Sequence, residues 1–278
     1  MASANIRHGL GPDGRVDLGR SAAELRALGA DVIGVQEIDA AYGPRSGRAE
    51  QPTLLAELLG MQLAFGAALD LPPARAGEPR RRYGVALLTR HEILSHHMHP
   101  LPDHPAAAAP GEPRGVLRAR LRRADGEELD VLVTHLEAGD GAHRVSQVQG
   151  IVRLTDALAG PVVMMGDMNA DPASPELAAL PATGWQDAAQ LVESATATIR
   201  ASSRRALPPP LHRRLMLLRD LMGRRPVRPM AATHPAGFPV RRIDALWVRG
   251  GIAVSAFAVG PRGSSDHRAV TATLHLPR

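Results

Sequence analysis

Polar side chains of the types that bind metal ions and activate water recur at the ends of apolar runs in this chain. A buried strand that ends in charge places that charge at a sheet edge, where sites form. Hard divalent cations such as Mg²⁺ or Mn²⁺ take carboxylate and other oxygen ligands and polarise phosphoryl oxygens. A shared functional site is therefore predicted from four junctions: Gln36-Glu37, Thr134-His135, 166–169 (GDMN) and 265–267 (SDH).

Within GDMN, Asp167 and Asn169 are two residues apart, so on an extended segment their side chains would point the same way. A carboxylate and an amide on one side suit the positioning of a water molecule, with the carboxylate accepting its proton. Asp and Asn also favour Asx turns after strands. GDMN alone therefore leaves a catalytic and a structural interpretation open.

The elements that position these groups follow from hydrophobic periodicity. We predict helices at 18–28, 52–59 and 144–158, and Gly/Pro-rich loops at 70–79 and 99–113. Only Met1–Ala4 precede Asn5, so a first strand there is predicted to be short. Two strand-rich halves favour two sheets packed face to face with helices outside. The predicted strands are 31–36, 84–88, 130–133, 162–165, 243–248 and 269–276.

The composition is that of a globular protein with a large core, since 44% of the 278 residues are hydrophobic and 22% are charged. The motifs extend from near the first residue to near the last, which favours a single domain over 1–278. There is no cysteine, which excludes disulfides, thiolate metal sites and a cysteine nucleophile. No apolar run is long enough to span a membrane, and the N-terminus lacks signal-peptide features, so a cytoplasmic location is predicted.

The net charge of +5 comes entirely from arginine, because the chain has no lysine. Guanidinium groups can hold two phosphate oxygens at once. Arginines are dense in 193–230, which we interpret as an insertion or flap, with a short basic amphipathic helix over 211–222. Five histidines between His91 and His104 match no metal-ligand spacing, and we expect them to lie in a solvated loop.

Seven strings in a fixed order resemble the endonuclease/exonuclease/phosphatase superfamily, which includes deoxyribonuclease I, exonuclease III, sphingomyelinases and inositol-polyphosphate 5-phosphatases. The resemblance covers nearly the whole chain except the arginine-rich stretch. It implies a four-layer α/β/β/α sandwich of the deoxyribonuclease I type, with two mixed sheets, and hydrolysis that depends on Mg²⁺ or Mn²⁺. The strings are ANIRHG, VIGVQE, YGVALLTR, VTHL, GDMN, RRIDALWV and SSDHRAV.

The resemblance also assigns expected roles around the metal. It implies that Glu37 is a metal ligand, that Asn5 lies beside the metal, and that Asp266 is a second carboxylate near it. Asp167 is expected to orient or deprotonate the attacking water, and Asn169 to assist it.

The remaining expected roles concern the phosphate. Asp244 would pair with His267, raise its pKa and favour an imidazolium that stabilises phosphoryl charge. His135 would donate a hydrogen bond to the phosphate from the other half of the chain. Arg114 and Tyr83 are weaker candidates for phosphate binding, because an arginine can lie on the surface and a tyrosine can simply pack.

The leading prediction is a phosphodiesterase, which includes a nuclease acting on nucleic acid. Aromatic residues are only 3% of the chain, which disfavours an enzyme specific for single strands. The alternative is a hydrolase of a small phosphorylated metabolite or a lipid headgroup. A catalytically silent binding module is ranked last, because all principal catalytic positions are filled.

Overall fold

The computed structural model describes residues 1–106, 109–204 and 231–277. Its helices are α1 (Leu18–Ala27), α2 (Gln51–Leu59), α3 (Gly141–Asp156), α4 (Ala179–Ala182) and α5 (Ala188–Arg204). Its strands are β1 (Ala2–Asn5), β2 (Val32–Ala40), β3 (Gln62–Leu71), β4 (Arg81–Thr89), β5 (Glu92–Pro100), β6 (Gly115–Arg122), β7 (Glu128–His135), β8 (Val162–Asp167), β9 (Gln186–Asp187), β10 (Asp244–Arg249), β11 (Ala253–Val259) and β12 (Val270–His275).

The described strands form two six-stranded sheets. The first has the order β11-β12-β1-β2-β4-β3 and the second has the order β5-β6-β7-β8-β10-β9. Each sheet contains one parallel pair, β1 with β2 and β7 with β8, among antiparallel neighbours. Both sheets are therefore mixed, as predicted, and the chain leaves the first sheet after β4 and returns to it with β11.

The two sheets pack face to face through an apolar core that includes Leu87, Val133 and Met165. At Gly34 the sheets approach so closely that a Cβ atom there would lie 2.7 Å from Cγ of Met165. Leu25 of α1 and residues of α2 cover the outer face of the first sheet. Ile151 of α3 packs on the outer face of the second. The predicted α/β/β/α sandwich is confirmed.

The helix boundaries follow local capping chemistry. Asp17 accepts a hydrogen bond of 2.9 Å from the backbone N–H of Arg20 at the start of α1. Asp140 accepts one of 2.7 Å from Ala142 and begins α3 three residues before the predicted start at 144. Gly60, with a φ of 64°, ends α2 in the left-handed conformation that glycine adopts readily. The three predicted helices are thus confirmed, with small differences at their ends.

The expected histidine loop is wrong for most of its length. His96, His97 and His99 lie in β5, an edge strand that pairs with β6. Met98 between them packs into the core, whereas the rings of His97 and His99 meet with their centroids 4.6 Å apart. Polar residues can alternate with apolar ones on an edge strand because one face contacts solvent. The histidines hid this alternation in the sequence.

The predicted insertion at 193–230 begins inside a helix, since Glu193 lies within α5. This helix contacts β10 and β11. The rest of the stretch, 205–230, including the predicted helix at 211–222, lies outside the described residues. The insertion and the single domain remain predictions, as does the cytoplasmic location. Among the described residues, no helix is both long and apolar enough to cross a membrane.

Candidate active site

Strand register brings the predicted residues to one edge of each sheet. In the second sheet, the parallel pairing of β7 with β8 sets His135 opposite Asp167, and the antiparallel pairing with β10 sets Asp244 opposite Asp167. In the first sheet, Asn5 at the end of β1 is opposite Gln36, which precedes Glu37. The two sheet edges adjoin, and the side chains meet between them.

Asp167 lies at the centre of this group and is buried. Its Oδ1 accepts a hydrogen bond of 2.9 Å from the backbone N–H of Asn169, which is an Asx turn. Its Oδ2 accepts a hydrogen bond of 3.1 Å from Nδ2 of Asn5. The same oxygen lies 3.6 Å from Nε2 of His135 and 3.6 Å from Nε2 of His267. Burial, reinforced by the charge of Asp244, raises the pKa of Asp167 above its ordinary value.

Gly166 allows this placement. A Cβ atom on Gly166 would lie 2.1 Å from the carbonyl oxygen of Thr134 on β7. Any larger residue would push β8 away from β7 and move Asp167 relative to His135.

His267 and Asp244 form a buried pair. Nδ1 of His267 lies 3.0 Å and 3.2 Å from the two carboxylate oxygens of Asp244. Burial alone would lower the pKa of His267, but the hydrogen bond and charge of Asp244, with Asp167 and Asp266, outweigh it and raise this pKa to about 9. His267 is therefore an imidazolium at neutral pH, which the sequence-based pairing implies.

His135 has the opposite charge state. Burial, followed by the charges of Arg114 and His267, holds the pKa of His135 well below 6.5. A neutral imidazole and an imidazolium thus face the same carboxylate oxygen of Asp167. Burial of the His135 ring and repulsion by the charged His267 and Arg114 disfavour a second imidazolium here.

Glu37 is directed by a β-bulge. Gln36 pairs with Val85 of β4 and Ile38 pairs with Gly84, so Glu37 is the extra residue. Its φ of 56° is left-handed, which is uncommon for a residue other than glycine. The strand β2 continues beyond this bulge to Ala40, rather than ending at Gln36 as predicted, and such a strained conformation within a strand is typical of functional sites.

Asn5 connects Glu37 with Asp167. Its Nδ2 donates hydrogen bonds of 2.9 Å to Oε1 of Glu37 and 3.1 Å to Oδ2 of Asp167. Its Oδ1 accepts the backbone N–H of Arg7 at 3.0 Å. In this arrangement Asn5 bridges two carboxylates, and it would have to turn its amide to offer oxygen to a cation.

The other predicted residues surround this centre. Asp266 is partly exposed and pairs with Nε of Arg7 at 3.6 Å. Arg114 is buried, with Nη1 3.0 Å from Oε1 of Glu112. Tyr83 is also buried, and burial, with the charges of Glu37 and Glu112, raises its pKa above the ordinary 10.

Asn169 lies beside Asp167 for a different reason from the one predicted. The strand β8 ends at Asp167, and Asn169 has a left-handed φ of 50°, so the extended segment expected there is wrong. Its Nδ2 donates a hydrogen bond of 2.9 Å to the carbonyl oxygen of Leu136. The turn, rather than strand alternation, brings the two residues together.

His234 is a site residue that the sequence reasoning missed. Its ring centroid lies 4.8 Å from that of His267, with the planes tilted by 47°. The segment is fixed on both sides, because Oγ1 of Thr233 accepts the N–H of Asp244 at 3.3 Å and the N–H of Ala236 donates to the carbonyl oxygen of Asp266 at 2.6 Å. The only sequence signal was the THP string shortly before RRID.

The donor atoms fit a hard divalent cation on the oxygen side of the site. Ligand atoms of Asp167, Asp244 and His267 all lie within 4.8 Å of one another. The imidazolium of His267, however, is hydrogen-bonded to Asp244 and has no lone pair to offer. The carboxylate of Glu37, which Asn5 joins to the site, is the kind of oxygen donor that Mg²⁺ and Mn²⁺ prefer.

A family model described as Endonuclease/Exonuclease/phosphatase family matches residues 2–267. The chain therefore belongs to this family, whose members are hydrolases of phosphate esters. No curated protein matches it.

Solved structures share the fold at low sequence identity. An endonuclease/exonuclease/phosphatase from Beutenbergia cavernae DSM 12333 has a TM-score of 0.71 and 23% identity, over 99% of this chain and 70% of that one. A mannosyl-6-phosphatase from Bacteroides thetaiotaomicron VPI-5482 has a TM-score of 0.67 and 16% identity, over 99% and 98%. D. rerio TDP2 complexed with single strand DNA product has a TM-score of 0.61 and 17% identity, over 99% and 97%.

Proposed function

We propose that this protein is a divalent-metal-dependent hydrolase that cleaves phosphodiesters by attack of water on phosphorus. The observation that carries this proposal is the arrangement around Oδ2 of Asp167. One buried carboxylate oxygen faces an amide, a neutral imidazole and an imidazolium at 3.1 to 3.6 Å. A base with a raised pKa beside a fixed cation suits general-base catalysis on an anionic substrate.

Glu37 and Asp266, with Asn5 beside them, would hold Mg²⁺ or Mn²⁺. Such a cation, when bound, would neutralise part of the phosphate charge and polarise the phosphoryl oxygen. Asn5 keeps the carboxylates of Glu37 and Asp167 close together despite their like charges.

The chain's own groups then carry the proton and the developing charge. Asp167 accepts a proton from the attacking water as the new O–P bond forms and the bond to the leaving oxygen breaks, and the leaving alkoxide takes up a proton from solvent water. The imidazolium of His267, which Asp244 holds in place, donates a hydrogen bond to a phosphoryl oxygen and stabilises its negative charge. The neutral imidazole of His135 donates a hydrogen bond to the phosphate. The turn at Asn169 orients Asp167. Arg114 and Tyr83 form the phosphate-binding side of the cleft.

A second candidate is hydrolysis of a small phosphorylated metabolite or lipid headgroup. The similarity in fold to a mannosyl-6-phosphatase supports it, as does the aromatic content of 3%. The similarity to TDP2 with a single strand DNA product supports the nucleic-acid substrate instead. Because these relatives share the same fold, only substrate tests separate the two.

The test measures hydrolysis of bis-p-nitrophenyl phosphate, p-nitrophenyl phosphate, supercoiled plasmid and sphingomyelin with Mg²⁺, Mn²⁺ or a chelator. We expect turnover of the diester that the chelator abolishes. Asp167→Ala and His267→Ala should each lower kcat at least a hundredfold, whereas Asp70→Asn, a carboxylate in an exposed ion pair, should not. Diester turnover by Asp167→Ala at the parent rate would refute the mechanism.

A further inference from the structure

Arg45 lies in the segment between β2 and α2, and its guanidinium is fixed on three sides. Nε and Nη2 donate to the two carboxylate oxygens of buried Asp39 at 2.9 Å and 2.6 Å. The guanidinium carbon lies 4.5 Å from the ring centroid of Tyr42 and 5.2 Å from that of Tyr83. Its side chain is nevertheless 42% exposed, and Nη1 has no hydrogen-bond partner among the residues that the structure covers.

A buried polar network fixes this arrangement to the chain that follows Asn5. Gln51 accepts the N–H of Asp39 at 3.0 Å and donates to the carbonyl oxygen of His8 at 2.8 Å. Ser46 donates to Asp39 at 2.7 Å. The segment containing Arg45 and the turn at His8 therefore form one rigid unit.

The turn itself is strained. Arg7 and His8 have φ values of 48° and 44°, a left-handed conformation that residues other than glycine rarely adopt in succession. Nδ1 of His8 is buried and, within the described chain, has no hydrogen-bond partner. Burial, followed by the charge of Arg45, lowers the pKa of His8, so a neutral imidazole stands near the guanidinium.

Arg45 adjoins Tyr83, which is a candidate phosphate-binding residue, since its guanidinium carbon lies 5.2 Å from the ring centroid of Tyr83. Tyr83 pairs with Asp39 on β2, two residues after Glu37. The guanidinium of Arg45 is thus near the proposed phosphate-binding side of the cleft, and its fixed placement lowers the entropic cost of holding an anion.

We propose that Arg45 and His8 form a second anion subsite, which binds a phosphate group of the substrate other than the one hydrolysed. The two N–H groups of Nη1 of Arg45 donate hydrogen bonds to this phosphate, and the neutral imidazole of His8 contributes a further hydrogen bond. The preferred substrate class is therefore one with two phosphates, either a nucleic acid backbone or a small bisphosphate. This assignment rests on the proposed function, because the second phosphate is defined relative to the scissile one.

The test compares substrates that differ only in a second phosphate. One pair is a thymidine dinucleotide with and without a 5′-terminal phosphate, and the other is fructose 1,6-bisphosphate and fructose 6-phosphate. In the parent protein we expect kcat/KM to be roughly tenfold higher for the substrate of each pair that has the second phosphate. Arg45→Gln should remove this difference. Hydrolysis of the member with one phosphate should change less than twofold. The pair that shows the advantage identifies the source of the second phosphate.

Arg48→Gln is the matched control, because Arg48 lies in the same segment but pairs with Glu78 at 3.0 Å. It should leave both substrate preferences unchanged. Equal losses on both members of a pair in Arg45→Gln, or the same loss in Arg48→Gln, would overturn the subsite.

A binding experiment keeps the two proposals separable. Calorimetry in Mg²⁺ with Asp167→Asn, which prevents turnover, compares thymidine 3′,5′-bisphosphate with thymidine 5′-monophosphate. We expect the bisphosphate to bind about tenfold more tightly, and adding Arg45→Gln to abolish the difference. If no ester is hydrolysed by the parent protein, the proposed function fails, yet this ratio still decides the subsite. A ratio that Arg45→Gln leaves unchanged would refute it.

Discussion

Asn5 donates a hydrogen bond of 3.1 Å to Asp167 across the boundary between the two sheets, although 162 residues separate them in the chain. The same amide nitrogen donates to Glu37 at 2.9 Å. One NH₂ group therefore couples the proposed metal ligand with the proposed general base. The two carboxylates repel each other less because this donor lies between them.

Asn5→Ala should lower kcat for the diester about tenfold to a hundredfold, because two charge-assisted hydrogen bonds are lost at once. It should also raise the Mg²⁺ concentration needed for half-maximal activity, since Glu37 is no longer held. Steady-state kinetics over a Mg²⁺ titration measure both effects.

Ser3→Ala is the control for general damage to β1, because Ser3 is buried on the same strand and its hydroxyl donates to Oε1 of Gln36 at 3.3 Å. If Ser3→Ala lowered kcat as much as Asn5→Ala, the bridging role of Asn5 would be excluded.

His267 and His135 should titrate far apart in the metal-free protein. Since the folded-state pKa of His267 is raised from 6.5 to about 9, the stability that its pairing contributes is present below pH 6.5 and is lost as pH rises through 9. Asp244→Asn removes the main stabilising charge but leaves the burial, so the pKa of His267 should fall below 6.5. NMR titration of the imidazole Hε1 signals measures this directly.

In the same spectra, His135 should stay neutral at pH values where an ordinary histidine is protonated, because burial holds its pKa well below 6.5. A His267 signal that titrates near 6.5 in the parent, or is unaffected by Asp244→Asn, would contradict the assignment of the imidazolium.

Gly166→Ala should destabilise the protein by about 3 kcal/mol or more, because the added Cβ would lie 2.1 Å from the carbonyl oxygen of Thr134. Denaturant unfolding measures the loss. Gly43→Ala is the control, since Gly43 has an extended φ of 178° and a Cβ there would meet nothing within 4 Å. Similar unfolding free energies for the two variants would show that β7 and β8 can separate without penalty.

His234 should act as a positioning residue for the ring of His267. His234→Ala removes the ring that packs at 4.8 Å and should lower kcat about tenfold with little change in KM. His234→Phe restores an aromatic ring and should recover most of the rate. If the His234→Phe and His234→Ala variants lost the same activity, catalysis would require an imidazole nitrogen of His234 rather than the packing of its ring.

The sequence predicted the sandwich and the residues that gather at the candidate site because both depend on local patterns. Apolar runs that end in charge place His135, Asp167 and Asp244 at one sheet edge once the strands pair in register. The helices were predicted within a few residues because their apolar periodicity is local, whereas the caps Asp17 and Asp140 decide where α1 and α3 begin.

The features that the sequence did not predict depend on the tertiary structure. The bulge at Glu37 arises from pairing with β4, and the contact between His234 and His267 joins segments 33 positions apart with no shared motif. The charge states of His135 and His267 likewise depend on burial and neighbouring charges, which residue types alone do not reveal. The strand β5 was missed because its outward histidines resemble those of a loop.

The return of the chain to the first sheet has a consequence for biosynthesis. On the ribosome, β12 emerges long after its neighbour β1, and His267 lies shortly before β12. Pairing across so long a separation closes a large loop late in folding. The nascent chain therefore cannot assemble the candidate site until His267 and β12 have been synthesised.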